Sequence, residues 1–387
     1  MPLPDYRGGS LVNLMSALLR ALGAEPPTAY PPVALLGPDL DRRTVVLLVV
    51  DGMGDEFLLR THAPALAGRR RGRLTSVFPS TTATAITTFL TGEAPQQHGL
   101  TGWHTYLKEL GSIVTVLPFV ARHGGESLSR AGIQAGPLLG HTPVFDRLRA
   151  RSVVVAPERI IHSDFNVAHS GRAELRGFAT LAQLFGTVAA VARSATERTY
   201  VYAYWSELDH LAHEQGIGSR AVRAHLAELD GAFGRFLAHL RGTDTTVIVT
   251  ADHGFIDVPP EHNIELDAHP GLAETLVLPL CGERRAPYCY VHPQRRDDFE
   301  RYVRERLGHA CELHESSALI DEGWFGLGPP HPRLHERVGH YTLVMKENWT
   351  LKDWLPGERR FVQAGVHGGL TADEMYVPLI VAAAEEA

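Results

Sequence analysis

The sequence predicts an α/β fold: a mostly parallel central sheet with helices on both faces, plus a small inserted α+β cap. Three observations carry this. Short apolar runs such as Val45–Val50 (VVLLVV) are unbroken rather than alternating, as expected of strands covered on both faces. Stretches with helical spacing separate these runs. Late in the chain both patterns lapse into a segment rich in Gly, Pro and His.

The elements follow in order. Residues 11–23 (LVNLMSALLRALG) have helical spacing and a closing glycine, and Pro26, Pro27, Pro31 and Pro32 then break the chain. Val45–Val50 is a strand and Asp55–Arg60 a short helix. Leu74–Phe78 is a strand, and Thr82–Leu90 a helix buried on most faces. Three further strands are expected at Val153–Ala156, Tyr200–Tyr204 and Val247–Thr250, with helices over Thr180–Ala195 and Arg220–Arg241 between them. Residues 259–283 are turn-rich, Tyr288–His292 is a strand candidate and Asp297–Leu307 a charged helix. Cys311–Tyr341 has little periodicity, and Val377–Ala382 supplies a last core strand. A structureless loop longer than roughly 15 residues is uncommon in a compact domain. Residues 284–345 are therefore expected to form the cap, with 1–283 and 346–387 as the catalytic core.

Composition narrows the function. The 387 residues are 44% hydrophobic and 21% charged, a globular balance, and the formal net charge of -7 gives no basic field for a nucleic-acid polymer. The N-terminal stretch lacks the pattern of a secretory signal, and no window approaches about 18 uninterrupted apolar residues. Cys281, Cys289 and Cys311 are a poor disulfide framework and are expected to be small buried residues. The expectation is a cytoplasmic protein without a membrane span; oligomeric state is left open.

The chemistry lies at the strand ends. Ligands of open parallel sheets gather at the carboxyl ends of the strands, so distant residues meet there. Asp51 follows the first strand and precedes Gly52-Met53-Gly54, which lets backbone pass close to a ligand. Asp209 and His213 form D-x-x-x-H, an i, i+4 pair on one helical face, whereas His210 faces elsewhere. Asp252-His253-Gly254 follows TTVIVT, and a sharp turn at the glycine would let both side chains reach one ion. His367 stands in GVHGGLT, presented from a glycine-flanked loop. Each has a bland alternative: an exposed helix pair, a helix cap, an Asx-turn, or one histidine among 21. Together they read as the ligands of a two-metal hydrolase.

A nucleophile is sought in LTSVFPSTTATAITTFLTG. Thr81 and Thr82 fall at a helix N-terminus, whose free N–H groups and dipole stabilise a phosphoryl group. Ser80 or Thr81 could instead only cap that helix.

These residues, in this order and with Thr91-Gly92 and His98-Gly99 downstream, resemble the alkaline phosphatase superfamily and within it the type I phosphodiesterase/nucleotide pyrophosphatase family. The resemblance covers about 45–255 and 362–383. It implies one metal held by Asp209, His213 and His367, and a second by Asp51, Asp252, His253 and the nucleophile oxygen. Counting back from Thr91-Gly92 places the nucleophile at Thr82, with Thr81 as alternative. It implies two divalent ions, zinc with manganese as alternative, and a small phosphate-ester substrate attacked by threonine.

Two departures stand out. The family's nucleophile is commonly followed by Phe-Pro-Asn, whereas Ala83-Thr84-Ala85 follows Thr82. A phosphate-contacting Asn falls near Trp103-His104, where none occurs; Trp103 and His104 are the substrate-contact candidates. A phosphomonoesterase or phosphomutase on the same core is the first alternative. Such enzymes usually add basic residues near the phosphate, and the sequence places none there, which favours diesters. A non-catalytic metal-binding protein is the remote alternative.

Overall fold

The computed structural model describes residues 1–384, without the side chains of residues 37 and 38; the last three residues of the expected 346–387 core segment lie outside the described residues. Two seven-stranded sheets dominate. The first runs, edge to edge, Arg70–Thr75, Tyr376–Ala383, Thr245–Thr250, Thr44–Val50, Thr199–Trp205, Arg151–Pro157 and Glu174–Phe178. Its last five strands pair in parallel. Tyr376–Ala383 is antiparallel to both neighbours. The strands Thr44–Val50, Thr199–Trp205 and Thr245–Thr250 are buried at every position, which is why their sequences are apolar runs with β-branched and aromatic residues rather than alternations.

Register positions the site. Val50 pairs with Trp205 and Val49 with Thr250, so these strands end level. Asp51, Asp252 and the helix Glu207–Gln215 therefore start from one rim.

Helices flank this sheet. Leu181–Ser194 begins at a capping box in which Thr180 Oγ1 accepts from Gln183 N while Gln183 Oε1 accepts from Thr180 N. It packs on Arg220–His239 through Phe185 and Phe236, stacked at 4.9 Å. Thr82–Thr91 is buried along its whole length and rests on Leu11–Ala21.

The second sheet, in the order Cys311–Glu315, Tyr341–Met345, Ala286–Cys289, Cys281–Glu283, His104–Leu107, Ser112–Thr115 and Val120–Ala121, is antiparallel throughout. It has two hydrophobic clusters of its own, one around Phe78, Tyr288 and Phe325 and the other around Phe299, Val303 and Leu343.

The architecture is thus α/β with several sheets flanked by helices, one mixed and one antiparallel, the antiparallel one larger than the small cap the sequence predicts. Two local expectations also shift. The strand expected at Leu74–Phe78 is Arg70–Thr75, an edge strand whose Arg71 and Arg73 face outward and mask its pattern. The Cys311–Tyr341 stretch, expected to be aperiodic, contains the strand Cys311–Glu315 and the helices Ser316–Asp321 and Leu334–Arg337, each too short for periodicity to register. No helix among the described residues is long and apolar enough to cross a membrane. The three cysteines are free and buried.

Candidate metal centre and nucleophile

Asp51, at the end of its strand, is 2% exposed, and its amide donates to Trp205 O at 2.8 Å. Gly52 turns the chain with φ +74, and a Cβ there would meet the Phe255 ring at 2.6 Å, so only glycine fits. Gly52 N in turn donates to Asp252 Oδ1 at 3.1 Å, tying the first two carboxylates together. Tyr204 Oη donates to Asp51 Oδ2. This leaves Asp51 Oδ1 and Asp252 Oδ2 each 3.4 Å from His253 Nε2, all three residues being fully or nearly fully buried.

His253 is oriented by its other nitrogen: Nδ1 donates to Gly254 O at 3.0 Å, so Nε2 presents its lone pair to the carboxylates. Gly254 serves a different purpose from the turn expected of it. A Cβ there would stand 1.9 Å from Asp373 O, so close backbone approach, not a left-handed conformation, demands glycine.

Asp209 and His213 lie one turn apart in Glu207–Gln215, with His213 Nε2 3.5 Å from Asp209 Oδ1. His213 Nδ1 donates to Gly365 O at 2.9 Å, again turning Nε2 inward. His367 Nε2 is 3.8 Å from the same Asp209 oxygen, and its ring stacks on His253 with centroids 3.7 Å apart. The next residue, Gly368, has φ +108. His210 projects outward toward Glu214.

Two groups result, Asp51/Asp252/His253 and Asp209/His253/His367, each with ligand atoms within 4.8 Å of one another. They share His253, while His213 approaches from the Asp209 side. All six residues proposed as protein ligands from the sequence are therefore brought to one place.

The electrostatics fit cations. Burial, then Asp209 and Asp252, push the Asp51 carboxyl well above the usual range. Burial, then Asp252 and Glu283, do the same to Asp209. Burial lowers all three histidines, His213 to about 4, so the imidazoles are neutral ligands. Asp51 Oδ1, Asp209 Oδ1, Asp252 Oδ2 and His367 Nδ1 are buried without a hydrogen-bond partner among the described residues. Buried polar atoms rarely remain unpaired, and a crowd of carboxylate oxygens among neutral imidazoles is the donor set of a divalent cation.

The two threonines separate cleanly. Thr81 occupies the N-cap position of Thr82–Thr91, yet its hydroxyl donates to Glu283 Oε1 at 2.7 Å rather than capping the helix. Ser80 Oγ donates to Gly369 O at 2.7 Å. Thr82 Oγ1, on the first helical residue, lies 3.0 Å from His253 Nε2, where both ligand groups meet.

A cleft of about 450 Å³ opens over Thr82, Asp209 and His367. Trp103 and His104 line it as expected; Trp103 N donates to Glu283 Oε1 at 2.7 Å, and His104 Nδ1 is 3.2 Å from Thr115 Oγ1. Sequence reasoning missed Tyr204 and four cleft residues, Glu283, Arg284, Lys352 and Trp354. Burial raises the Glu283 carboxyl to about 7. Tyr204 was within reach, since Tyr200, Tyr202 and Tyr204 alternate along one strand and so share a face. The others carried no signal, because they come from segments without a motif.

Comparison with known proteins agrees with this geometry. A family model described as type I phosphodiesterase / nucleotide pyrophosphatase matches residues 45–369. No curated protein matches the sequence. Among solved structures, murine ectonucleotide pyrophosphatase/phosphodiesterase 5 superposes with a TM-score of 0.64 at 18% identity, covering 87% of each chain. An inactive threonine-to-alanine form of that protein bound to AMP gives the same values. Phosphonoacetate hydrolase from Sinorhizobium meliloti, bound to phosphonoformate, superposes with a TM-score of 0.60 at 18% identity, over 88% of this chain and 90% of that one. The match spans both the first ligand strand and the last ligand loop, so the chain belongs to the type I phosphodiesterase/nucleotide pyrophosphatase family of the alkaline phosphatase superfamily, a family of metal-dependent phosphoric ester hydrolases.

Proposed function

We propose that the protein hydrolyses a small phosphodiester, with Thr82 as nucleophile. The observation that carries this is the 3.0 Å approach of Thr82 Oγ1 to His253 Nε2, at the junction of two ligand groups whose outward atoms have no protein partner. Asp209, His213 and His367 would hold one cation, and Asp51, Asp252, His253 and Thr82 the other. Imidazole and carboxylate donors favour zinc, with manganese the alternative. When bound, two such cations supply charge stabilisation at the phosphoryl oxygens and at the attacking oxygen.

The chain's own residues do the rest. Thr82 Oγ1 bonds to phosphorus as the bond to the leaving oxygen breaks, and its proton ends on the departing alcohol. Water then displaces the threonine, restoring its hydroxyl and releasing the phosphate monoester. The helix Thr82–Thr91 begins at Thr82 itself, so its first-turn N–H groups and positive dipole end lie beside the nucleophile and favour a negative phosphoryl group. Tyr204 holds Asp51, while the Gly254 and Gly365 carbonyls hold His253 and His213.

The cleft suits a small ester rather than a polymer. The AMP and phosphonoformate named with the two related structures are small phosphorus-containing anions, which supports this class. We further propose residues 1–283 and 346–387 as core and 284–345 as cap, with the cap's sheet continuing into the core strands Cys281–Glu283, His104–Leu107, Ser112–Thr115 and Val120–Ala121, and a reducing, cytoplasmic setting in keeping with the free buried cysteines.

Thr82→Ala should retain its metal and lose turnover of bis(4-nitrophenyl) phosphate; full activity would move the nucleophile elsewhere. A second reading, a phosphomonoesterase, gains from Arg284 and Lys352, basic residues in the cleft that the sequence did not reveal. Faster turnover of 4-nitrophenyl phosphate than of the diester would favour it.

A further inference from the structure

Arg284, in the turn between Cys281–Glu283 and Ala286–Cys289, and Lys352, at the end of the strand Thr350–Lys352, face the cleft, and the bond from Leu351 N to Arg284 O at 2.9 Å sets them side by side. Neither side chain makes an ion pair or hydrogen bond with any described residue, and Arg284 Nη2 is buried without a partner. What positions them is aromatic. Lys352 Nζ lies 3.9 Å from the Trp354 ring centroid and 4.6 Å from that of Phe361; Arg284 Cζ lies 5.7 and 5.1 Å from the same rings.

A ring face attracts a cation without consuming its N–H donors, so both heads stay available to a ligand. Arg122, in the same cleft, shows the contrast. It takes Asp353 at 2.7 Å, Glu358 at 3.0 Å and Leu280 O at 2.7 Å, and so uses up the two nearest acids. Glu283 takes the Thr81 hydroxyl and the Trp103 amide, both at Oε1, and forms no ion pair with Arg284 or Lys352. Two adjacent cations drawn partly out of water, neither of them ion-paired to a neighbouring acid, are costly unless an anion completes them. Neither head forms a hydrogen bond or ion pair with Asp51, Asp209, Asp252 or Thr82; both lie against the Trp354 and Phe361 rings, where an arm of the substrate would meet them. A guanidinium beside an ammonium suits a carboxylate or phosphate.

We infer that Arg284 and Lys352, held by the faces of Trp354 and Phe361, bind a second anionic group, a carboxylate or phosphate on the arm of the substrate that extends away from the reacting phosphorus. This rests on the reading of Thr82 as the reacting centre, and it narrows the substrate class to diesters with an acidic arm.

The test uses the metal-loaded full chain and 4-nitrophenyl phosphodiesters whose other arm ends in a carboxylate, a phosphate or an isosteric carboxamide. Affinities are measured by calorimetry on the Thr82→Ala enzyme, which removes dependence on turnover, and kcat/KM on the unaltered enzyme. At least one acidic arm should bind roughly tenfold tighter than the amide, and the tighter of the two identifies the group. Arg284→Ala and Lys352→Met should each reduce this ratio, and together bring it near one. Arg284→Glu should turn the preference toward an amine-ended arm. Because the readout is a ratio within one protein, a general loss of affinity does not mimic it. An affinity ratio near one in the Thr82→Ala enzyme, or one untouched by the double substitution, overturns the inference even if every diester is hydrolysed. A clear ratio with no diester turnover leaves the inference standing and sinks the diesterase reading instead.

Discussion

Glu374 and Arg285 form a two-pronged ion pair with both side chains fully buried, Nε to Oε1 and Nη2 to Oε2 at 3.0 Å each. The pair bridges the second sheet to the metal-site loops. Glu374 Oε1 also accepts from Gly369 N at 2.8 Å, and Glu374 O accepts from Gly254 N at 2.8 Å, so one residue steadies the loops of both His367 and His253. Removing one partner of a buried pair leaves the other charge uncompensated. Glu374→Gln should cost on the order of 3–5 kcal/mol in urea unfolding. Metal affinity should also fall, by roughly 10- to 100-fold, as for other groups that orient ligands. Unchanged affinity in a chelator competition would show that the pair is structural only.

Tyr204 gives a milder probe of the same centre. Its hydroxyl donates to Asp51 Oδ2, and Phe preserves the packing of a strand position that is 9% exposed. Tyr204→Phe should fold normally and weaken metal binding about tenfold, the low end of the range for such partners. Activity should recover in excess metal. Calorimetric metal titration checks the first statement, and a metal-dependence curve of turnover the second.

Stripping the metal should have a pH signature. Burial and neighbouring carboxylates raise Asp51 and Asp209 well above 3.8 in the folded metal-free chain, so each holds its proton more tightly folded than unfolded. The stability this contributes is complete below the unfolded value and is lost as pH rises through the raised folded one. Bound cations reverse the effect, adding about 2.7 kcal/mol when free metal is 100 times its dissociation constant. Chelation should therefore lower the melting temperature, and the gap between loaded and stripped protein should widen from pH 5 to pH 8. Thermal melts across that range test it; coincident curves would contradict a resident metal centre.

Lys352 predicts a second pH effect. Burial, then Arg284, lower its ammonium to about 8, with Glu358 and Asp353 opposing and Arg122 reinforcing. The ammonium is charged below that value and neutral above it. Preference for an acidic arm, read as a ratio of kcat/KM values, should be flat below pH 8 and fall as pH rises through it, because kcat/KM reports groups of the free enzyme. Lys352→Arg should abolish the fall.

The site was more legible than the fold around it, for a physical reason. Asp51 and Asp252 follow strands buried on both faces, whose apolar runs cannot be mistaken for loops, and each has a glycine close behind it, Gly52 for its left-handed φ and the Phe255 ring, Gly254 for close backbone approach. Asp209 and His213 announce themselves by helical spacing. His367 had no local signature and was readable only as the member that completes a set. The second sheet was hidden because its strands are short. His104–Leu107 and Ser112–Thr115 have four residues each, and the pairing that joins them to the rest of the sheet, His104 with Gly282, lies far along the chain. Arg284 and Lys352 were illegible for the same reason: their adjacency depends on one backbone bond across 67 residues, from Leu351 to Arg284. Spacing back from Thr91-Gly92 pointed to Thr82 over Thr81, and the structure separates them physically, since Glu283 engages Thr81 while Thr82 lies beside His253.

The central claim, that Thr82 attacks phosphorus beside His253, is met most directly by trapping the covalent intermediate. Metal-loaded enzyme mixed with bis(4-nitrophenyl) phosphate and quenched in acid within one turnover should yield, by peptide mass spectrometry, a 4-nitrophenyl phosphoryl adduct on Thr82. Thr82→Ala should give none. An adduct on Thr81 or on any other side chain, or steady turnover by Thr82→Ala, would contradict the account.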